Sequence, residues 1–237
     1  MLKIAKQGEK RPMLNKALFK LTACFLSLML LVALLFFCLS LIIHDRQYFE
    51  REYTNYNLSE TMGISTEELV SSLMRVIDYM EGKADDIRVK VTINGRETLM
   101  FNEREEAHMV DVRNLYIGFK TASWIILGLY AVLILALYKT KALSAAFLYA
   151  SAISLILGLL AFLWVTLDFS SFWVAFHKLF FTNDLWQLDP SSSRMILMMP
   201  LEFFYGIVKR LALTFGAVWL ILGIVAGIHL KLIKEGA

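Results

Sequence analysis

Four stretches of this chain stay apolar for longer than a strand or a core helix requires. Thr22–Ile43 has no charged residue. Thr121–Tyr138 has none, and Leu115–Phe119 extends it past a lone Lys120. Ala142–Leu167 has none, and Leu211–Leu230 holds only His229, near its end. Each run is roughly 18 to 26 residues, enough for a helix to cross a hydrocarbon core of ~30 Å. The pattern predicts four transmembrane helices, at 21–43, 115–138, 142–167 and 209–230, within a single integral membrane domain. Two longer polar segments, 44–114 and 168–206, alternate with the short loop Lys139-Thr-Lys141.

The polar segments are themselves patterned. Ser65-Thr-Glu-Glu68 has the spacing of a capping box, in which a Ser hydroxyl serves the backbone N–H three residues on and a Glu reaches back. Leu69, Leu73, Val76, Ile77 and Met80 follow at helical spacing, predicting an amphipathic helix over 66–81. Its apolar face has two possible partners, the protein's own loops and bundle or the outer leaflet. Ile87–Ile93 and Arg96–Phe101 flank Asn94-Gly95, a pair that supplies the positive φ of a two-residue hairpin turn. The predicted fold class is therefore mainly α: a polytopic membrane protein with four transmembrane helices and a small α+β extracytoplasmic region. In the second segment Phe169, Phe172, Trp173, Phe176 and Phe180 fall within about 40° of one line on a helix. Aromatic rings favour the headgroup level, so this helix is expected at the interface, with His177 on its wet edge. Asn183-Asp184 and Asp189-Pro190 are turn chemistry, and Met195–Tyr205 reads as an apolar stretch broken by Pro200.

Charge orients this arrangement. Residues 1–20 carry six basic groups and one acid, and the 139–141 loop carries two lysines. Residues 44–114 carry nine basic and fifteen acidic groups. By the positive-inside rule both termini face the cytoplasm and the two long segments face out. Lys209 and Arg210 run against the trend but are too few to reverse it. The first apolar run is too long for a signal peptide and no small-residue site ends it, so it is expected to remain as an anchor. Leu21-Thr-Ala-Cys24 resembles a lipoprotein box but opens the run rather than following it. Cys24 and Cys38 read as small packing residues.

Little in the chain is equipped for chemistry. It has no Gly-x-Ser-x-Gly elbow, Walker loop, His-Glu-x-x-His or dinucleotide glycine motif, and no cysteine in the outer segments. No cofactor, metal or nucleic-acid partner is expected. Of four histidines, His44 and His229 end helices and read as interfacial residues. His108 and His177 are both in outer segments with polar company. Arg104 lies four residues before His108 and Asp111 three after it, on one helix face. Two imidazoles with carboxylates and an arginine suit general acid–base work. A membrane assembly factor that docks a partner through its outer loops is the alternative. A transporter would place ionisable groups inside its spans, and these runs hold almost none.

The stretches FNEREEAHMVDVRNLY (101–116), FHKLFFTNDLWQLDP (176–190) and ILMMPLEFF (196–204) resemble the paired signatures of the bacterial lipoprotein intramolecular transacylases. The resemblance covers nearly the whole chain. One departure is Ser191-Ser-Ser193-Arg194, where that pattern often has an acid, which argues against a catalytic acid in this turn. The resemblance implies a diacylglyceryl-modified lipoprotein substrate in the outer leaflet, embedded among its lipids. One acyl chain would move to the α-amino group of the lipoprotein's N-terminal cysteine, with no external donor. His108 and His177 would share the acid–base work. Asp111 or Glu105 would orient His108, and Asp184 would orient His177. Arg104, Asn183 or backbone N–H groups would face the oxyanion.

Overall fold

The computed structural model describes the backbone of residues 10–235 and the side chains of residues 19–234. Lys3 and Lys6 of the basic N-terminal cluster lie outside the described residues. The four apolar runs form α1 (Lys10–Ile42), α5 (Glu103–Leu137), α6 (Ala142–Leu167) and α9 (Leu201–Glu235). All four are long and apolar enough to cross a membrane. Trp124, Leu135, Leu160 and Leu220 point outward from three of them and are exposed. Water is a poor solvent for such a surface, and helices satisfy their own backbone groups in lipid. The chain is a mainly α, multi-pass membrane protein with one small two-stranded sheet.

The polar segment after α1 holds α2 (Arg46–Asn55), α3 (Leu58–Met62) and α4 (Thr66–Met80). The first two are not predicted by the hydrophobic pattern. Asp45 starts α2 by accepting the Tyr48 N–H at 3.0 Å. The capping box opening α4 is present, with Ser65 and Glu68 serving each other's backbone. Its apolar face turns inward: Leu69, Val70, Leu73, Val76 and Ile77 are buried with Phe49, Tyr53, Met100, Phe101 and Phe203. Of the two partners open to this helix, the protein itself is the one it covers.

β1 (Lys90–Ile93) and β2 (Arg96–Leu99) pair antiparallel, with Ile93 opposite Arg96. Asn94 and Gly95 turn the chain with φ of 50° and 81°, the left-handed pair a type I′ turn needs. The spare oxygen of the capping Glu68 accepts the Thr92 N–H at 2.8 Å and ties the hairpin to α4. Beyond β2, Met100 and Phe101 are buried, and Asn102 leads into α5 at Glu103.

The remaining elements are α7 (Phe169–Phe180), capped by Asp168, and α8 (Arg194–Met198), capped by Ser193. α9 begins eight residues before the predicted crossing at 209. Pro200 does not break this stretch; it starts the helix. Its carbonyl accepts the N–H groups of Phe203 and Phe204 at 3.0 and 3.4 Å, and a residue without an N–H loses nothing at a helix start. Arg210, one of the two cations against the charge trend, bonds Asp45 at 2.5 Å and lies 4.6 Å from the Tyr48 ring centre.

By contacts the chain divides into two compact units. One comprises the chain up to residue 35, 122–161 and 215 onward. It packs around Leu30, Leu31, Tyr130, Leu143 and Phe147, with Ser27 bonded to Tyr130 and Trp219 to Ser151. The other comprises 36–121 and 162–214, and contains α2–α4, the hairpin, α7, α8 and the start of α5.

Candidate active site

The acidic start of α5 carries one of the two histidines of the polar segments, and the end of α7 carries the other. Glu103, Glu105 and Glu106 occupy the first turn of α5, where carboxylates complement the positive end of the helix. His108 follows on the next turn. His177 lies in the last turn of α7. The two ring centroids are 6.2 Å apart, and each residue is only 7% exposed.

Burial of His177 departs from the wet edge expected of it, and the aromatic stripe explains why. Trp173 packs against Phe204 of α9 at 4.2 Å between ring centres. That contact turns the stripe toward the protein. The chain beyond α7 then folds back, placing Trp186 4.9 Å from the His177 ring and Phe181 5.6 Å from it. Phe181 also meets the His108 ring edge-on at 5.3 Å. The two imidazoles share an aromatic chamber.

Hydrogen bonding distinguishes the rings. Nδ1 of His177 is 2.8 Å from the Trp173 carbonyl. A carbonyl only accepts, so Nδ1 carries the proton, and Nε2 of the neutral ring bears the lone pair. Burial pushes the His177 imidazole below its ordinary range, and the Trp173 carbonyl only partly opposes this. Nδ1 of His108 is buried without a hydrogen-bond partner in the protein. A buried polar atom of this kind calls for a partner, and its ring lies 6.2 Å from the other imidazole between centroids.

Around the pair, the expected polar residues divide. Asp111 interacts electrostatically with His108 and accepts a bond from Asn183 Nδ2 at 2.8 Å. Arg104 donates to the Asp184 carbonyl at 2.5 Å, and its guanidinium is 3.6 Å from the Asp184 carboxylate. These two links run from α5 to the turn after α7. They hold the segment that places Trp186 over His177, with Trp186 Nε1 itself donating to the Asn183 carbonyl at 3.0 Å. Asp184 is thus engaged by Arg104, and the group that orients His177 is the Trp173 carbonyl.

Glu105 also departs from expectation. It is fully buried, and both carboxylate oxygens are committed away from His108. One accepts the Asn102 N–H at 2.7 Å, while the Asn102 side chain accepts the Glu105 N–H at 3.0 Å, a reciprocal cap for α5. The other accepts the Ser193 hydroxyl at 2.5 Å and the Met195 N–H at 2.8 Å. Glu105 clamps the α8 turn to the start of α5. Arg194 reinforces this join by donating to the Leu99 carbonyl at 2.9 Å. Glu106 pairs with Arg88, and Arg113 lies over the Tyr79 ring, which accounts for both as structural charges. His44 bonds the Ser40 carbonyl and Glu81, while His229 bonds Ser144 and the Tyr138 carbonyl.

The chemistry-bearing features that sequence reading missed are Trp186, Ser193 and the Trp173 carbonyl. Only the last had a local signal, since it lies one helical turn before His177.

A family model described as lipoprotein intramolecular transacylase Lit matches residues 24–204. The fold matches in meso structures of the membrane integral lipoprotein intramolecular transacylase Lit from Bacillus cereus. One covers 92% of this chain and 97% of that chain, at 20% identity and a TM-score of 0.73. Another, of a variant with one histidine changed to arginine, covers 98% and 100%, at 18% identity and a TM-score of 0.74. No curated protein matches the chain.

Proposed function

Because the chain belongs to the lipoprotein intramolecular transacylase family, we propose that it moves an acyl chain within a diacylglyceryl-modified lipoprotein. The chain leaves a glyceryl ester and arrives on the α-amino group of the N-terminal cysteine. The product is N-acyl, S-monoacylglyceryl (lyso-form) lipoprotein. The observation that carries the catalytic part is the buried His108–His177 pair, 6.2 Å between ring centres, with the lone pair of His177 at Nε2.

The steps follow from those groups. The neutral amine attacks the ester carbonyl, a C–N bond forms, and the carbonyl oxygen becomes an oxyanion. Nε2 of His177 takes the proton that the nitrogen sheds. The proton passes to His108 and on to the glyceryl oxygen as the C–O bond breaks. The sum is one amide formed, one ester lost and one proton moved from nitrogen to oxygen, with no water or external donor consumed. Amine and ester belong to one molecule, so holding them together supplies much of the rate. Arg104, Asn183, Asp111 and Asp184 act as positioning residues that fix the turn over the chamber. The charge distribution supports an active site on the extracytoplasmic face, with both termini cytoplasmic. The acyl chains then remain among outer-leaflet lipid while ester and amine reach the chamber.

The test is mass spectrometry of lipoprotein N-terminal peptides from a bacterium that makes only the diacylglyceryl form, with and without this chain. An isomer with one acyl group on nitrogen is the expected product. Unchanged peptides, with the protein folded in the membrane, would overturn the reading in favour of a docking factor.

The pH dependence follows from the burial of His177. An α-amine titrates at ~7.7–8.0, so N-acylation should rise with pH through that range. His177 is held below the ordinary imidazole range, so it stays neutral where an exposed imidazole protonates, at about 6.5. The acid limb should therefore follow the amine alone. A second break near ~6.5 in the rate profile would contradict a buried neutral base.

A further inference from the structure

The unit built from residues up to 35, 122–161 and 215 onward contains an apolar cavity of about 410 Å³, within the range of ligand sites. Leu34, Leu127, Tyr130, Phe147, Leu222 and Ala226 form much of its wall. Polar side chains gather at one end. There Ser144 bonds Nδ1 of His229 at 2.8 Å, and Nε2 of His229 donates to the Tyr138 carbonyl at 2.6 Å. The same end adjoins the Lys139-Thr-Lys141 loop. Lys139 Nζ is 5.5 Å from the ring centre of Tyr138, which is itself a lining residue.

Among the described side chains of this unit, charge has one sign. Residues 19–35, 122–161 and 215–234 contain no Asp or Glu, and their charged residues are Lys20, Lys139, Lys141, Lys231 and Lys234. An apolar body with a polar, cationic end matches an amphiphile with an anionic head. The proposed acyl transfer uses none of these groups. We propose that this cavity binds an anionic phospholipid, with an acyl chain against Leu127, Phe147 and Leu222 and the phosphate at Lys139 and Lys141. Lysines beside a membrane attract anionic headgroups, and the cavity adds a place for the chain that a surface charge alone lacks.

The experiment is native mass spectrometry of the purified full chain, exchanged into detergent with phosphatidylglycerol and phosphatidylcholine of identical chains. Phosphatidylglycerol should be retained preferentially. Lys139→Ala with Lys141→Ala should lower its retention by roughly ten- to thirtyfold. Ala226→Phe, which fills the cavity without touching the charges, should lower retention of the long-chain lipid. Equal retention of the two headgroups would overturn the proposal, as would unchanged retention in a folded Ala226→Phe variant. If that variant does not fold, short-chain phosphatidylglycerol on the unmodified protein asks the same question. It should be held more weakly than the long-chain form, and equal retention would again overturn the proposal. All of these readouts are independent of N-acylation.

Discussion

His177→Ala should leave the protein in the membrane and lower N-acylation by ~10²–10⁴-fold, the usual range for a lost general acid or base. His108→Ala should do the same. The geometry predicts more than two separate losses. The rings lie 6.2 Å apart in one aromatic chamber, and the proposed proton path uses both. Groups that act as a unit lose most of their effect with the first removal, so the double variant should be scarcely slower than either single one. Effects that multiplied would mean two independent roles. A purely structural histidine is the competing account, because His177 also packs against Trp173 and Trp186. Added imidazole separates the two. It should partly restore N-acylation in His177→Ala by re-entering the space the ring left, whereas a variant that is merely mispacked should not respond. Full activity in both single variants would remove the catalytic assignment altogether.

The legible parts of this chain were those whose cause is local. The capping box at Ser65 and Glu68, the apolar spacing after it and the Asn94-Gly95 turn each depend on residues within a few positions of one another. Each appears in the structure at its predicted place. α2 was illegible for a related reason. Only Phe49 and Tyr53 of its ten residues are buried, so it offers a single i, i+4 pair, too little for a period to emerge. Pro200 misled because proline has two meanings, a break inside a helix or a start before one. The choice depends on whether its carbonyl is taken up by the residues that follow.

The candidate site shows the same division. The histidines could be singled out by their polar neighbours, but their pairing spans sixty-nine positions and no local pattern encodes it. The burial of His177 depends on Phe204 and on the turn that brings Trp186 back over the ring. A helical wheel of α7 places His177 on the flank of the stripe and says nothing of what covers that flank. Asp184 and Glu105 read from the sequence as partners of the histidines, since carboxylates near imidazoles often serve them. Arg104 claims the first. Donors some ninety residues away claim the second.

That long-range claim sets the other large expected effect. Glu105→Ala should destabilise the protein by about 3–5 kcal/mol and abolish N-acylation with it. The carboxylate is fully buried and accepts three donors, from Asn102, Ser193 and Met195. An unsatisfied buried donor costs ~1–3 kcal/mol, and alanine leaves all three without an acceptor while opening a cavity. Glu105→Gln keeps the shape and one acceptor oxygen. The Ser193 hydroxyl can turn to accept from the new amide, but a backbone N–H cannot, so glutamine should fall between alanine and the unmodified protein in thermal unfolding. Ser193→Ala removes one donor to the carboxylate together with the side-chain cap of α8, and should cost about 2–3 kcal/mol. The decisive comparison is between stability and activity in Glu105→Gln. If Glu105 oriented His108, glutamine would slow the reaction steeply in a protein of nearly normal stability. With Glu105 clamping the α8 turn to α5, activity should follow stability instead. Cooling the variant well below its unfolding temperature should then recover most of the N-acylation rate relative to the unmodified protein. Failure to recover in a fully folded variant would return Glu105 to the histidine's side.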